Sequence, residues 1–342
     1  MPDVQAAVVD HRRIDALNAL VGATPIIEIH YRFKGTPRRI YAKYEVLNMT
    51  GSIKDRMMLH IIRRGYESGR LQPNGVIVEA TSGNTGISAA AIGSALGHPV
   101  RIYMPDWMSQ ERMDLIAAFG AEIILVSHEE GGFIGAIEAA NSFAATSDNS
   151  FLPQQFAHAA NVEAHIKGTG PEIESQLASL DRAADAFVAG VGTGGTVMGV
   201  GQYLRQSGRD VQIHPLEPAN SPTLRTGSKV GEHRIQGISD EFIPPIVHLD
   251  ELDDIVDVWD GDAILMAQEM CRTLGLPVGI SAGANVLGAM KIAEALGDNA
   301  TVVTVLPDSN KKYLSTDLCR VEPVRDDYLT PDVTLDGFNA FR

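Results

Sequence analysis

The sequence predicts an α/β fold in which parallel sheets carry helices on both faces. Three observations predict it. Short β-branched runs alternate with amphipathic stretches, those stretches begin after Ser, Thr or Asp or end in Gly, and 342 residues is the length of about two domains flanking a cleft. In chain order, an isoleucine-rich run at 26–30 and a second run at 40–47 predict the first two strands. The amphipathic stretch 54–68 leads into a strand at 76–80, and the helix at 85–97, closing on Gly97, returns to a strand at 100–104. A helix at 109–119 opens on Ser109 and precedes the strand 121–126, and helices follow at 132–146 and 161–178. The strand 186–191, the helix 196–206 opening on Thr196 and the strand 211–216 repeat the unit. Helices at 261–275 and 283–297 then lead to a last strand at 301–306. Such alternation is built as right-handed crossovers. No Pro/Ser-rich linker or repeat is visible, so rhythm alone places the crossing between halves near 150–157. Residues from about 321 to 342, with Pro323, Pro331 and many acids, read as an irregular tail packed on the surface.

Composition narrows the function classes. Hydrophobic residues at 44% and charged residues at 21% are those of a globular chain and exclude long disorder. Acids outnumber bases by 43 to 28, a formal charge of −15 that repels nucleic-acid backbones, and no basic patch offsets it. No apolar run approaches the roughly 20 residues of a membrane span, and the N-terminus lacks the apolar core of a signal peptide. The two cysteines, Cys271 and Cys319, suit neither a disulfide framework nor a zinc site, and His165 and His248 lack ligand-type partners. Cytoplasmic residence is the expectation, with no metal, membrane or nucleic-acid partner.

Four segments carry chemistry. Gly51-Ser52-Ile53-Lys54-Asp55-Arg56 follows a strand and opens a helix, where the positive end of the dipole favours the neutral, nucleophilic amine of Lys54; a solvated surface lysine is the alternative. Thr81-Ser82-Gly83-Asn84-Thr85-Gly86 lies between a strand and a helix near residue 87, so N–H groups and hydroxyls converge on an anion such as an α-carboxylate. A Ser or Thr N-cap would explain one hydroxyl of the three. Gly190-Val191-Gly192-Thr193-Gly194-Gly195-Thr196 is a loop whose backbone suits a phosphate. It also satisfies G-x-G-x-x-G, which leaves a dinucleotide-binding dehydrogenase open, with Asp210 or Glu217 as the ribose acid. Gly279-Ile280-Ser281-Ala282-Gly283-Ala284 reads alone as a helix start.

A reactive lysine, a carboxylate loop and a phosphate loop, in that order, are the parts that hold pyridoxal phosphate and an amino acid. From about Gly22 to Asp317 the chain resembles the β-replacing, pyridoxal-phosphate-dependent cysteine synthase and cystathionine β-synthase family. Besides the four segments, the resemblance rests on Gly22-Ala23-Thr24-Pro25, Met108-Ser109-Gln110-Glu111-Arg112, Phe119-Gly120-Ala121-Glu122, Gln154-Gln155-Phe156, Thr169-Gly170-Pro171-Glu172-Ile173 and Tyr313-Leu314-Ser315-Thr316. It implies a fold-type-II enzyme similar to tryptophan synthase β, with two doubly wound parallel-sheet domains and the cofactor in the cleft between them. It also implies a smaller domain at 45–155 with a mobile substrate-binding part, a larger domain at 10–44 plus 156–320, and a tail at 321–342. Lys54 would form the Schiff base and act as acid and base at the substrate α-carbon. Asn84 would hydrogen-bond the cofactor's ring oxygen, and Gly192, Thr193, Gly194, Gly195 and Thr196 would cradle its phosphate. Ser281 would face the pyridine nitrogen, and Thr81, Ser82, Thr85 and Gln155 would hold the substrate carboxylate.

The implied reaction is β-replacement on O-acetyl-L-serine with sulfide, through an aminoacrylate, to give L-cysteine. Asn84-Thr85-Gly86 points to a synthase rather than a deaminase. A homodimer and a docking serine acetyltransferase are the implied partners beside the small amino-acid substrates. The sequence departs from cysteine synthases at His158-Ala159-Ala160-Asn161, at Gly132-Phe133-Ile134-Gly135, where a lysine is absent, and at Gly237-Ile238-Ser239-Asp240-Glu241-Phe242, where two acids stand. Asp240 and Glu241 are expected to tune the second substrate, which leaves homocysteine or an amine open as its alternative.

Overall fold

The computed structural model describes residues 11–206, 208–239 and 241–342. Its strands are β1 (Ile26–Phe33), β2 (Thr36–Tyr44), β3 (Val76–Ala80), β4 (Val100–Pro105), β5 (Glu122–Val126), β6 (Ser150–Phe151), β7 (Ala186–Gly190), β8 (Gln212–Pro218), β9 (Val256–Val258), β10 (Val302–Leu306) and β11 (Val333–Phe341). Its helices are α1 (His11–Asn18), α2 (Lys54–Glu67), α3 (Asn84–Leu96), α4 (Gln110–Ala118), α5 (Gly132–Thr146), α6 (Ala159–Ala164), α7 (Gly170–Ala178), α8 (Gly195–Gln206), α9 (Thr223–Thr226), α10 (Asp260–Leu274) and α11 (Ile280–Leu296). One sheet has four parallel strands in the order β5-β4-β3-β6, and the other has seven in the order β11-β1-β2-β10-β7-β8-β9.

Three expectations need correction. The larger sheet is mixed: β2, β10, β7, β8 and β9 run parallel, but β1 pairs antiparallel with β2 through a tight turn at Lys34 and Gly35. A hairpin needs only two turn residues, whereas a parallel partner would need a crossover that two residues cannot supply. The tail is not irregular throughout, because Val333–Phe341 adds to β1 as the antiparallel edge strand. A register shift opposite His30/Tyr31 breaks its alternation and leaves Leu335 as its one buried side chain, so the period-2 signal is faint. The single helix expected over 161–178 is three pieces: α6, a π-helical turn at His165–Thr169, and α7. Pro171 has no N–H for the α-helical ladder, and the Gly170 N–H reaches back to the His165 carbonyl instead.

Both faces of the larger sheet are covered. Ile27, Ile29, Val188 and Leu216 pack with Ala263, Ile264, Val286 and Leu287 of α10 and α11 on one side. Phe187, Ala189 and Ile213 pack with Ile173, Leu177, Val197 and Val200 of α7 and α8 on the other. The smaller sheet packs Ile77 and Ile102 against α2 and α3, and Val78 and Tyr103 against α5.

The two sheets are tied through the first turn of α2, where three consecutive side chains leave the helix in three directions. Asp55 is fully buried and accepts from the Thr50 N–H, the Thr50 hydroxyl and the Ser88 hydroxyl, each at 2.6 Å. Arg56 makes a bidentate pair with Glu45 (2.6 and 2.8 Å) and another with Glu172 (2.8 and 2.8 Å). Thr24 and Asn48 also donate to Glu45, each at 2.7 Å, and the buried Lys43 ammonium lies 2.7 Å from Glu172. Burial pushes the Glu172 carboxyl up, but Arg56 and Lys43 outweigh it and hold it down at about 2. Lys54, between Ile53 and these anchors, is thereby held at the helix start. Arg56→Met should leave Glu45 and Glu172 buried without their cation and cost about 3–5 kcal/mol of stability in urea unfolding.

Candidate active site

Lys54 opens onto a cleft of about 800 Å³, counting space open to solvent, which lies against the C-terminal ends of β3, β7 and β10. The cleft is lined by Lys54, Thr81, Ser82, Asn84, Thr85, Gln155, Gly192, Thr193, Gly194, Thr196 and Ser281. Of the residues expected to hold the cofactor or the substrate carboxylate, only Gly195 stands behind this lining. Its position is set by close approach: a Cβ there would lie 1.9 Å from Asn161 Oδ1. The N-termini of α2, α3, α8 and α11 all border the cleft, so their exposed N–H groups and dipoles favour anions within it.

The loop after β3 enters α3 at Asn84 rather than near 87, and its N-cap, Gly83, makes no side-chain cap bond. Gly83 has φ +152°, and a Cβ on it would meet the Arg112 side chain at 2.2 Å. Thr81 Oγ1 accepts from the Gly83 N–H at 3.0 Å, leaving its own hydrogen to donate. Thr85 donates to Gln155 Oε1 at 2.6 Å, and Gln155 Nε2 donates to the Ala80 carbonyl at 2.8 Å. Thr85 therefore orients Gln155, whose second Nε2 hydrogen remains to serve an anion. Beneath this loop, the fully buried Glu79 accepts from the N–H of Ala80 (3.0 Å) and of Gln155 (3.3 Å). Burial pushes its carboxyl up to about 8 against those backbone donors.

Asn161 Nδ2 donates to both Thr193 Oγ1 and the Gln155 carbonyl at 2.8 Å, so one amide joins the glycine-rich loop before α8 to the segment that carries Gln155. Behind Thr196 lies buried His165, with Nε2 3.3 Å from the Thr196 hydroxyl and Nδ1 2.8 Å from that of Thr169. Burial, aided by the charges of Arg56 and Lys54, holds His165 well below the usual imidazole range. Asn285 accepts from the Gly190 N–H at 2.8 Å and donates to the Val305 carbonyl at 2.9 Å, fixing α11 and with it Ser281, which is 5% exposed.

Asn161, Asn285, Arg112, Asp308 and Lys312 were given no role by sequence reasoning. Arg112 and Asn161 stand in segments already quoted for the resemblance or its departures, whereas Asn285, Asp308 and Lys312 stand outside every quoted segment. Ser109 donates to the Lys312 carbonyl at 2.9 Å, and the Ser315 N–H and hydroxyl donate to Glu111 at 2.7 and 2.8 Å. Segments 108–112 and 313–316 thus meet across the cleft. Arg112 stacks its guanidinium 4.6 Å from the Tyr313 ring and donates to Gln236.

Other candidates lie elsewhere. Glu217 accepts from the Leu224 N–H at 2.6 Å within its own segment, and neither it nor Asp210 lines the cleft. Asp240 lies outside the described residues; Glu241 stands 4.0 Å from Lys229, while Gly237 and Ile238 line the cleft. Among the described residues, no group of three or more His, Cys, Asp or Glu side chains could hold a metal, Cys271 and Cys319 are free thiols, and no helix is long and apolar enough to cross a membrane.

The fold and this cleft define a class of protein. The chain belongs to the family of pyridoxal-phosphate dependent enzymes, whose model matches residues 17–308. Among curated relatives, it is 42% identical over 304 residues to cysteine synthase B of Campylobacter jejuni, covering 89% of this chain and 98% of that one. It is 39% identical over 299 residues to a probable cysteine synthase of Bacillus subtilis, covering 87% and 96%. Among solved structures, it is similar to a hydrogen sulfide-producing enzyme of Fusobacterium nucleatum, with 53% identity, a TM-score of 0.95 and coverage of 97% and 100%. A mutant of that enzyme complexed with an α-aminoacrylate intermediate matches at 54% identity and TM-score 0.93, covering 95% and 97%.

Pyridoxal phosphate is the cofactor of this class, and the donor set fits it. A glycine-rich loop opening α8 supplies N–H and hydroxyl donors for a phosphate, a lysine amine lies in the same cleft for the aldehyde, and neutral Ser281 is available for a ring nitrogen. The G-x-G-x-x-G pattern opens α8 at this cleft, in a chain whose class uses pyridoxal phosphate.

The state of Glu79 gives a pH signature. Its carboxyl rises from 4.5 to about 8 on folding, so between those values the folded chain holds a proton that the unfolded chain has lost. Stability from this group is full below about pH 4.5 and falls as pH rises towards 8, with a limiting slope of about 1.4 kcal/mol per pH unit. Glu79→Gln should remove that slope, so the variant's stability relative to wild type rises across this window in pH-dependent denaturation.

Proposed function

We propose that this chain replaces the β-substituent of O-acetyl-L-serine with sulfide, giving L-cysteine and acetate. The observation that carries the reading is the convergence of Lys54, the loop from Thr81 to Thr85 and the loop from Gly192 to Thr196 on one cleft. Bound there, pyridoxal phosphate supplies an electron-withdrawing ring that makes the substrate α-C–H acidic. Lys54 carries the cofactor, then takes the α-proton and returns it at the end. Thr81 and Ser82 donate to the substrate carboxylate, and Gln155, turned by Thr85, adds an amide hydrogen. Gly192, Thr193, Gly194, Gly195 and Thr196 hold the phosphate, and Asn84 donates to the ring oxygen. Ser281 would give the ring nitrogen a neutral partner in place of a carboxylate, and acetate leaves the substrate β-carbon. Hydrosulfide then adds to that carbon.

The domain division at 45–155 and at 10–44 plus 156–320, cytoplasmic residence, homodimeric assembly and docking by a serine acetyltransferase belong to the same proposal. They rest on the resemblance to cysteine synthases. A second reading is favoured by the likeness to hydrogen sulfide-producing enzymes at 53–54% identity. In it, the same cleft breaks the β-C–S bond of cysteine, hydrosulfide leaves, and water, an amine or another thiol takes its place.

Rates separate the two. Cysteine formation from O-acetylserine and sulfide is expected to exceed sulfide release from cysteine by at least about tenfold in kcat/KM, and the inverse ratio assigns the second reading. Lys54→Ala should lower either activity by at least about 10³-fold. Borohydride reduction and peptide mapping should place the pyridoxyl label on Lys54, and a label on another lysine refutes its role.

A further inference from the structure

Lys312 lies 228 residues from Asn84 in sequence and is 2% exposed, yet its ammonium donates to Asn84 Oδ1 at 2.8 Å. On the other side, Asn84 Nδ2 donates to Asp308 Oδ2 at 2.7 Å, and the Tyr313 hydroxyl donates to the same oxygen. An ammonium offers only hydrogens and a carboxylate only lone pairs, so this pair of neighbours admits one orientation of the Asn84 amide. Its carbonyl must face Lys312 and its NH₂ must face Asp308. One Nδ2 hydrogen is used by Asp308, and the other is left for an acceptor in the cleft that Asn84 lines.

Lys312 is itself held. It makes a second, longer contact of 3.3 Å to the Gly51 carbonyl in the turn that leads to Lys54, and its own carbonyl accepts from Ser109. Burial lowers its pKa, while the charges of Asp308 and Asp55 oppose that and favour the ammonium. Lys312 holds the carbonyl end of the Asn84 amide as Asp308 holds its NH₂ end, and without Lys312 only Asp308 opposes its turning over. Turned over, it would set a carbonyl against the cofactor's ring oxygen, two acceptors facing each other.

We propose that Lys312 is a positioning residue that locks the Asn84 amide with its N–H towards the ring oxygen of pyridoxal phosphate. This rests on the reading that Asn84 touches that oxygen. The test is a double-mutant cycle on the reconstituted holoenzyme without substrate, using Lys312→Met and Asn84→Ala and reading the cofactor's dissociation constant and absorbance maximum. Lys312→Met is expected to weaken cofactor retention about fivefold and to shift the maximum in the same direction as Asn84→Ala. In the Asn84→Ala background it should change neither, and Lys312→Arg should keep the wild-type spectrum. An equal loss in both backgrounds, a wild-type Lys312→Met, or a Lys312→Arg spectrum matching that of Lys312→Met overturns the proposal. If Asn84→Ala alone leaves affinity and spectrum unchanged, the ring-oxygen reading fails first and takes the proposal with it. Should Lys312→Met not fold, Lys312→Gln carries the same cycle.

Discussion

A buried guanidinium holds the molecule to one arrangement. Arg56 leaves the first turn of α2 and forks onto two carboxylates from distant parts of the chain, Glu45 after β2 and Glu172 in α7. Desolvating these charges is costly, and the cost is met only when both forks, the Lys43 ammonium and the Thr24 and Asn48 donors are in place together. Partial satisfaction is worse than none, so the network specifies a single geometry. Two residues upstream of that guanidinium is Lys54. The placement of the Lys54 amine therefore derives from ion pairs whose members do not line the cleft.

Around this anchor, the cleft is assembled from helix starts. Parallel strands end together, and the helices that follow β3, β7 and the segment before β10 begin where those strands end, so unpaired N–H groups gather at one edge. Anions are the natural occupants of such a place. Hydroxyls and the Gln155 amide stand at the start of α3, glycine backbone and threonines at the start of α8. Asn161 holds the two halves in register by bonding to Thr193 and to the Gln155 carbonyl.

Segments that come late in the chain pack against the start of α2. Ile53 N–H donates to the Pro307 carbonyl at 2.8 Å, Ser52 and Asp308 form an isolated antiparallel bridge, and Lys312 reaches back to Gly51 and Asn84. The turn that presents Lys54 is therefore completed by the residues after β10. These contacts join the two sheets beside the cleft.

The alternation of strands and helices and the loops that open α2, α3 and α8 were legible in the sequence, because each is a local pattern: a period, a cap or a run of glycines. Family resemblance added Ser281 and Gln155, which carry no local signal of their own. The antiparallel β1–β2 pairing, the edge strand β11 and the π-helical turn were not legible, since each depends on a partner strand, a bulge or a proline's missing N–H. Lys312, Asp308 and Asn161 escaped for a related reason. A lysine in Lys311-Lys312-Tyr313 looks like any surface cation until the fold buries it against an amide 228 residues away. Sequence by itself determined which chemical groups are present and which backbone turns present them. Tertiary structure alone decided which way those groups face, because orientation is set by hydrogen bonds and charges between residues that only folding brings within 3 Å.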